Sequence, residues 1–119
     1  MQRALHTRLK EGAAQAYDEL HATVPPDLAV ALREAGVRDW RIWRQGLDVF
    51  HLVDVDDYAK MRAYLRDHPA NVAWQERVTR LQSLPDDYSG ADDGLPEVWS
   101  LARQLQASGG EAAGEPPSP

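Results

Sequence analysis

The stretch VRDWRIWRQGLDVFHLVDV, residues 37–55, decides the fold of this chain. Its first half, Val37 to Arg44, is rich in β-branched and aromatic residues, which favour a strand. Gln45-Gly46 then predicts a tight turn, and Leu47 to Val55 predicts a second, strongly apolar strand. Residues 37–55 therefore predict an antiparallel β-hairpin.

Periodicity predicts the elements on both sides of this hairpin. Residues 3–9 alternate as a strand does, whereas residues 13–34 carry a helical pattern that Pro25-Pro26 must kink or divide, because proline lacks the amide donor. After the hairpin we expect a helix over about 58–67, a helix over 71–82, a polar loop over 83–94 and a short last strand over Leu95 to Ala102.

This order of elements is β-α-β-β-α-β, which is typical of the α+β ferredoxin-like fold with an antiparallel sheet. Helices cover one face of such a sheet. The other face here carries large apolar side chains that also need cover, and in a small chain the usual cover is a second copy. The sequence therefore predicts a dimeric α+β barrel, that is, a homodimer with two sheets face to face.

Length and composition limit the possible functions. The 119 residues fit one domain, which we place at residues 1–103, followed by a disordered acidic, proline- and glycine-rich tail at 104–119. The net charge of −6 argues against a nucleic-acid partner, and no apolar run is long enough to span a membrane. With no cysteine and no closely spaced set of ligands, we expect no metal site, and a cytoplasmic location is the default expectation.

Tyr17 and His21 lie one helical turn apart on an otherwise apolar stripe. An imidazole has a pKa near neutrality and is therefore suited to general acid/base chemistry, and a phenol beside it can bind a polar substrate. On the pattern alone, a structural histidine and a core tyrosine are the more common outcomes.

Several short segments, in this order and spacing, resemble the L-rhamnose mutarotase family from about Arg3 to Leu101. The segments are the Tyr-x-x-x-His pair of Tyr17 and His21, Pro25-Pro26-Asp27, Gly36 to Trp43, Phe50 to Asp54, Asn71-Val72-Ala73-Trp74-Gln75 and Glu97-Val98-Trp99-Ser100-Leu101. Proteins of this family are dimeric α+β-barrel enzymes that interconvert sugar anomers.

The resemblance implies a role for individual residues. His21 would be the catalytic proton donor, Tyr17 and Trp40 would bind the sugar, and Trp74 would form part of the pocket. The chain departs from the family pattern at Pro25, where a tryptophan is usual, at Trp40, where a tyrosine is usual, and at Gln75, where some relatives have a second tryptophan. The implied activity is a cofactor-free mutarotase for a 6-deoxy-hexose such as L-rhamnose or L-fucose, acting by general acid/base ring opening.

Three further residues and two other functions stay open on the sequence. His51 and His6 could each face the interior and assist at the site, and Asp54 could orient a histidine or bind a sugar hydroxyl. One alternative function is a cofactor-free dimeric α+β-barrel monooxygenase with an aromatic substrate. The other is a non-catalytic ligand-binding dimer of the same fold.

Overall fold

The computed structural model describes residues 1–108. The elements are, in chain order, β1 (Gln2–Leu9), α1 (Ala14–Leu20), α2 (Pro26–Glu34), β2 (Val37–Gln45), β3 (Asp48–Val55), α3 (Tyr58–Arg66), α4 (Pro69–Val78), a 3-10 turn (Thr79–Leu81), β4 (Gln82–Leu84) and α5 (Leu101–Ser108).

The four strands form one antiparallel sheet in the order β2-β3-β1-β4. The hairpin predicted from residues 37–55 is present as β2 and β3, and β1 lies on the other side of β3. This order is that of the ferredoxin-like fold, so the predicted fold class is confirmed. In the register of the sheet, His51 stands opposite Leu5 on one side and Ile42 on the other.

The predicted break at Pro25-Pro26 divides the helical segment into two helices. α1 ends at Leu20, and α2 begins with Pro26 at its first position, where the missing amide hydrogen would have had no partner in any case. α2 stops before Gly36, which has φ +93, a left-handed conformation that glycine adopts without steric cost.

Side-chain hydrogen bonds cap the N-termini of α3 and α4. The carboxylate of Asp57 accepts a hydrogen bond from the backbone N–H of Lys60, as the predicted N-cap requires. His68 plays the same part for α4, because its Nδ1 accepts from the N–H of Ala70. α4 begins two residues earlier than predicted and ends at Val78, and a 3-10 turn follows.

The prediction of a last strand at Leu95 to Ala102 is wrong. The fourth strand is Gln82–Leu84, inside the segment predicted as a polar loop. Leu95 does donate a backbone hydrogen bond of 2.7 Å to the carbonyl of Ala4, but Pro96 follows and has no N–H with which to extend the pairing. Residues 95–100 are therefore irregular, and α5 follows them.

All helices that contribute to the core lie on one face of the sheet. Buried residues of β1, β3 and the helices make two clusters there, one around Val53 and Met61 and one around Val49 and Trp74. The opposite face exposes large apolar side chains: Trp43 is 46% exposed and Phe50 41%. In the described part of the chain, residues 93–97 border this face beside Ala4 and Leu52 but leave its Trp43 and Phe50 side uncovered.

No helix within residues 1–108 is long and apolar enough to cross a bilayer. The tail predicted from residue 104 begins inside α5, so its first residues, 104–108, are helical. Residues 109–119 of the predicted tail lie outside the described residues.

Candidate functional site

A cavity of about 160 Å³ lies between the covered face of the sheet and helices α1, α2 and α4. It adjoins the core cluster around Val49 and Trp74. All five site residues predicted from the sequence line it, namely Tyr17, His21, Trp40, His51 and Trp74. The fold thus brings together residues from two helices and two strands.

His21 follows the last turn of α1 and has one free ring nitrogen. Its Nδ1 lies 3.0 Å from the backbone oxygen of Tyr17. A carbonyl oxygen can only accept, so Nδ1 carries the proton of the neutral ring and Nε2 keeps its lone pair. Nε2 makes no hydrogen bond to any residue in the range 1–108, and burial lowers the pKa of His21. His21 is therefore a neutral imidazole with an available base nitrogen near pH 7.

Two aromatic rings hold the imidazole of His21. The Tyr17 ring packs on it with centroids 4.0 Å apart, and Trp74 of α4 meets it edge-on at 5.0 Å. Tyr17 is only 3% exposed, and this burial, aided by the negative charge of Asp86, raises the pKa of its hydroxyl. The Tyr17 hydroxyl is therefore a hydrogen-bond donor at every physiological pH.

His51 and Trp40 form a hydrogen-bonded pair on neighbouring strands. The indole Nε1–H of Trp40 donates to Nδ1 of His51 at 3.1 Å, and Nε2 of His51 lies 2.9 Å from the hydroxyl oxygen of Thr7. Because an indole N–H can only donate, neutral His51 carries its proton on Nε2 and donates it to Thr7. Burial lowers the pKa of His51 and keeps the ring neutral. Unlike His21, His51 has no ring nitrogen left for a ligand.

The two further candidates, His6 and Asp54, do not reach the cavity. Both lie on the opposite face of the sheet, because His6 alternates with Leu5 in β1 and Asp54 alternates with Val53 in β3. Nε2 of His6 lies 2.9 Å from the carboxylate of Asp48. Asp54 lies 3.4 Å from the N-terminal amine. Neither of these two residues, which the sequence left open, lines the interior cavity.

A buried arginine stands behind one wall of the cavity. Arg62 of α3 is 2% exposed, and its Nη2 lies 3.1 Å from Asp86 and 2.9 Å from Asp92. Its guanidinium also covers the ring of Tyr88 at 4.5 Å, and its Nε donates to the hydroxyl of Tyr58. Burial is the largest single effect on the pKa of Arg62 and would lower it, but Asp86, Tyr88 and Tyr58 together outweigh burial and raise that pKa. Arg62 is therefore a fixed cation that holds the loop behind β4.

A family model described as L-rhamnose mutarotase matches residues 2–101. The chain belongs to the L-rhamnose mutarotase family. The match spans every strand of the sheet and all the predicted site residues, so the resemblance noted in the sequence is confirmed. A search of curated proteins gave no significant match.

Two solved structures share the fold. The crystal structure of an L-rhamnose mutarotase from Formosa agariphila is 22% identical, with a TM-score of 0.67, and the match covers 85% of this chain and 98% of that one. The tetracenomycin F2 cyclase of Streptomyces glaucescens, a type-II polyketide cyclase, is 24% identical, with a TM-score of 0.50, and the match covers 84% and 94%. At these identities, the two similarities establish the architecture only.

Within this mutarotase-family fold, the cavity has polar residues that sequence reasoning did not select as site residues. They are Asn71, Gln75, Gln82, Asp86 and Tyr88. Asp86 lies in the segment predicted as a polar loop, yet its side chain is only 12% exposed and is paired with Arg62. One signal was present: Arg62 falls in the buried stripe of α3, and a buried arginine requires an acidic partner.

No group of three or more metal-binding side chains occurs within residues 1–108. The polar atoms that reach the cavity belong to imidazole, amide, phenol, indole and carboxylate groups on separate elements. Such a set can exchange protons and hydrogen bonds with a small neutral molecule.

Proposed function

We propose that the protein is an aldose mutarotase, an isomerase that interconverts the α and β anomers of a 6-deoxy-hexose, with L-rhamnose as the first candidate and L-fucose as the second. The observation that carries the proposal is the free Nε2 of His21, a neutral base in a cavity of suitable size. The family to which the chain belongs supports L-rhamnose.

The proposed reaction needs one proton acceptor and one proton donor. Nε2 of His21 takes the proton of the anomeric hydroxyl, and the imidazolium so formed acts as the donor that passes this proton to O5 as the C1–O5 bond breaks. The open-chain aldehyde turns about its C1–C2 bond. The reverse transfers then close the ring on the other face, so the total number of protons is unchanged. Proton transfer by one positioned side chain contributes roughly 100- to 10,000-fold to the rate.

The neighbours of His21 receive roles from their geometry. Tyr17 supplies a hydroxyl donor for a sugar oxygen beside the imidazole. Trp40 and Trp74 present ring surfaces to the apolar C–H faces of the sugar. Because both nitrogens of His51 are engaged, we assign it to the positioning of the Trp40 indole and not to direct contact with the sugar.

The mixed aliphatic and polar lining of the cavity supports a 6-deoxy sugar. One part of its lining is aliphatic, contributed by Val24, Leu28, Leu32, Ile42 and Val78. The other part is polar, contributed by Asn71, Gln75, Gln82 and Asp86. A 6-deoxy-hexose has the same division, with a methyl group at C5 and hydroxyls on C2 to C4.

We further propose that the working unit is a homodimer in the cytoplasm. The uncovered face of the sheet supports the dimer, since Trp43 and Phe50 stand directly opposite each other on β2 and β3 and are both over 40% exposed. A second sheet packed on this face would remove them from water. The cytoplasmic location stays a prediction from the sequence.

Saturation-transfer proton NMR tests the activity directly. The chain is added to L-rhamnose, L-fucose and D-glucose at anomeric equilibrium, and the exchange rate between the two anomeric signals is measured. We expect faster exchange for a 6-deoxy sugar. Unchanged exchange for all three sugars, with a folded protein, would contradict the proposal.

One observation favours a second candidate. The aliphatic lining, together with Trp40 and Trp74, would also suit an aromatic substrate, as in a cofactor-free monooxygenase of the same fold. That enzyme would bind a planar phenol or quinol in preference to a sugar. A thermal-shift comparison of L-rhamnose with such phenols separates the two candidates, because only the bound ligand raises the melting temperature.

A further inference from the structure

The polar lining of the cavity contains an acceptor atom without a donor. Gln82, the first residue of β4, is 7% exposed, and its Oε1 is buried with no hydrogen-bond partner among residues 1–108. The residue lines the cavity. A buried amide oxygen that lacks a donor is unfavourable, and such atoms in folded proteins usually receive a hydrogen bond from a bound group. Gln82 therefore holds an unused buried acceptor in the wall of this cavity.

A second acceptor lies four residues further along the chain. Oδ1 of Asp86 receives the hydrogen bond from Arg62, whereas Oδ2 has no protein partner within the described residues. Asp86 also lines the cavity and is the only carboxylate among the lining residues. The other ionisable residues there are two histidines and two tyrosines. Arg62 cannot easily swing away, because Asp92 and the Tyr88 ring also hold it. The free oxygen of Asp86 is therefore kept at a fixed place.

We propose that Gln82 and Asp86 are substrate-binding residues that accept hydrogen bonds from two hydroxyl groups of a pyranose. Arg62 acts as a positioning residue that orients Asp86. The inference rests on the proposed mutarotase function and deepens it, because it assigns hydroxyl recognition to the β4 side of the cavity. Two unpaired acceptors in the lining of one cavity favour a ligand with two donors, and a sugar with several free hydroxyls meets this requirement.

Hydrogen bonds to Gln82 and Asp86 would orient the sugar for the reaction. If Gln82 and Asp86 hold the ring hydroxyls, the anomeric centre is left for His21 and Tyr17, which line the same cavity. The acceptors thereby direct C1 and O5 toward the imidazole. A sugar bound the other way round would leave both acceptors unpaired and is disfavoured.

The test uses Gln82→Met, which keeps the approximate size of the side chain and removes the acceptor. Gln15→Met, at an exposed position of α1, is the matched control. We expect affinity for the sugar that shows exchange, measured by NMR titration, to fall about tenfold in Gln82→Met. The melting temperature without sugar should stay the same or rise, because an unsatisfied buried oxygen is removed.

The second variant is Asp86→Asn, with Asp87→Asn as its exposed neighbour and control. We expect weaker sugar binding by about tenfold or more, since a charged acceptor is lost, and no change in Asp87→Asn. Asp86→Asn also weakens the ion pair with Arg62, so we expect its melting temperature to fall. Gln82→Met should not lower the melting temperature, so a loss of sugar affinity in that variant reports on recognition and not on stability.

The outcomes distinguish this inference from the function on which it rests. If the wild-type chain accelerates anomer exchange but Gln82→Met and Asp86→Asn bind the sugar as tightly as it does, the inference is overturned and the mutarotase function stands. If the wild-type chain neither binds nor converts any of the three sugars, both are overturned. Weaker binding in both variants, with both controls unchanged, supports the inference.

Discussion

The indole nitrogen of Trp40 and Nδ1 of His51 are joined by a hydrogen bond of 3.1 Å. This bond fixes the proton of His51 on Nε2, where Thr7 accepts it. In His21 the arrangement is reversed, because the carbonyl oxygen of Tyr17 requires the proton on Nδ1. Two histidines of the same cavity thus adopt opposite tautomers, and only His21 offers a lone pair to a ligand.

The locked state of His51 predicts how stability depends on pH. Burial depresses its folded-state pKa below the ordinary value of 6.5, so the neutral ring stabilises the fold fully above pH 6.5. This contribution is lost as the pH falls through the depressed pKa. In His51→Gln, the free energy of unfolding should therefore fall less between pH 7.5 and 5.5. Urea denaturation at both values measures this. Equal pH dependence in the wild type and the variant would contradict the assignment.

Replacement of His21 should abolish the proposed activity. We expect His21→Ala to slow anomer exchange by roughly 100- to 10,000-fold, because the free base nitrogen is lost. His68→Asn is the matched control: it also removes an imidazole but retains an N-cap side chain for α4. Saturation-transfer NMR compares the three proteins. Full activity in His21→Ala would remove His21 from the mechanism.

The depressed pKa of His21 also predicts the pH–rate profile. Above its pKa the imidazole is neutral and can accept the anomeric proton, and below it Nε2 is protonated and cannot. The rate constant kcat/KM should therefore fall on the acid side of pH 6.5 and be level around neutrality. Buffer-corrected exchange rates from pH 4.5 to 8 provide the measurement. A rate that rises as the pH falls would instead favour an imidazolium as the required form.

The contacts of Arg62 predict unequal effects at two adjacent aspartates. Asp92 binds Arg62 and accepts a hydrogen bond from Tyr58, whereas Asp93 is 89% exposed. We expect Asp92→Asn to lower the free energy of unfolding by about 2 kcal/mol, since hydrogen bonds between charged groups are lost. Asp93→Asn should change it by less than about 0.5 kcal/mol. Denaturant titration of both variants decides the matter, and similar losses would contradict the assigned role of Arg62.

The uncovered face predicts the effect of a charge on assembly. Phe50→Asp places a carboxylate in the proposed contact between two sheets, and we expect the mass in solution to fall to that of a single 13.3 kDa chain. Val30→Asp, at an exposed position of α2, should leave the mass unchanged. Light scattering after size-exclusion chromatography measures both. A wild type that is already monomeric would overturn the dimer proposal.

The sequence predicts those parts of the structure that depend on local patterns. The hairpin, the division at Pro25-Pro26 and the Asp57 cap follow from turn chemistry and periodicity, and all three are present. The last strand was misplaced because Leu95 to Ala102 is apolar enough for a strand, while the position of β4 depends on pairing with the distant Leu9.

In the candidate site, too, local contacts could be predicted from the sequence and long-range contacts could not. Tyr17 and His21 are neighbours on one helical turn, so their proximity follows from spacing. Asp86 was missed because its burial depends on Arg62, 24 residues earlier in the chain, and no short-range pattern joins the two. The tautomer of His51 likewise depends on side chains from two other strands.

In β3, the side chain of His51 faces the cavity, and the side chain of the preceding residue, Phe50, lies on the uncovered face. The strand thus carries two separate surfaces on alternate residues. Substitutions can alter one surface and spare the other, so ligand choice and the proposed self-association are free to diverge independently during evolution. Insertion of one residue before Phe50 would instead exchange the two sets of side chains, and both properties would be lost together.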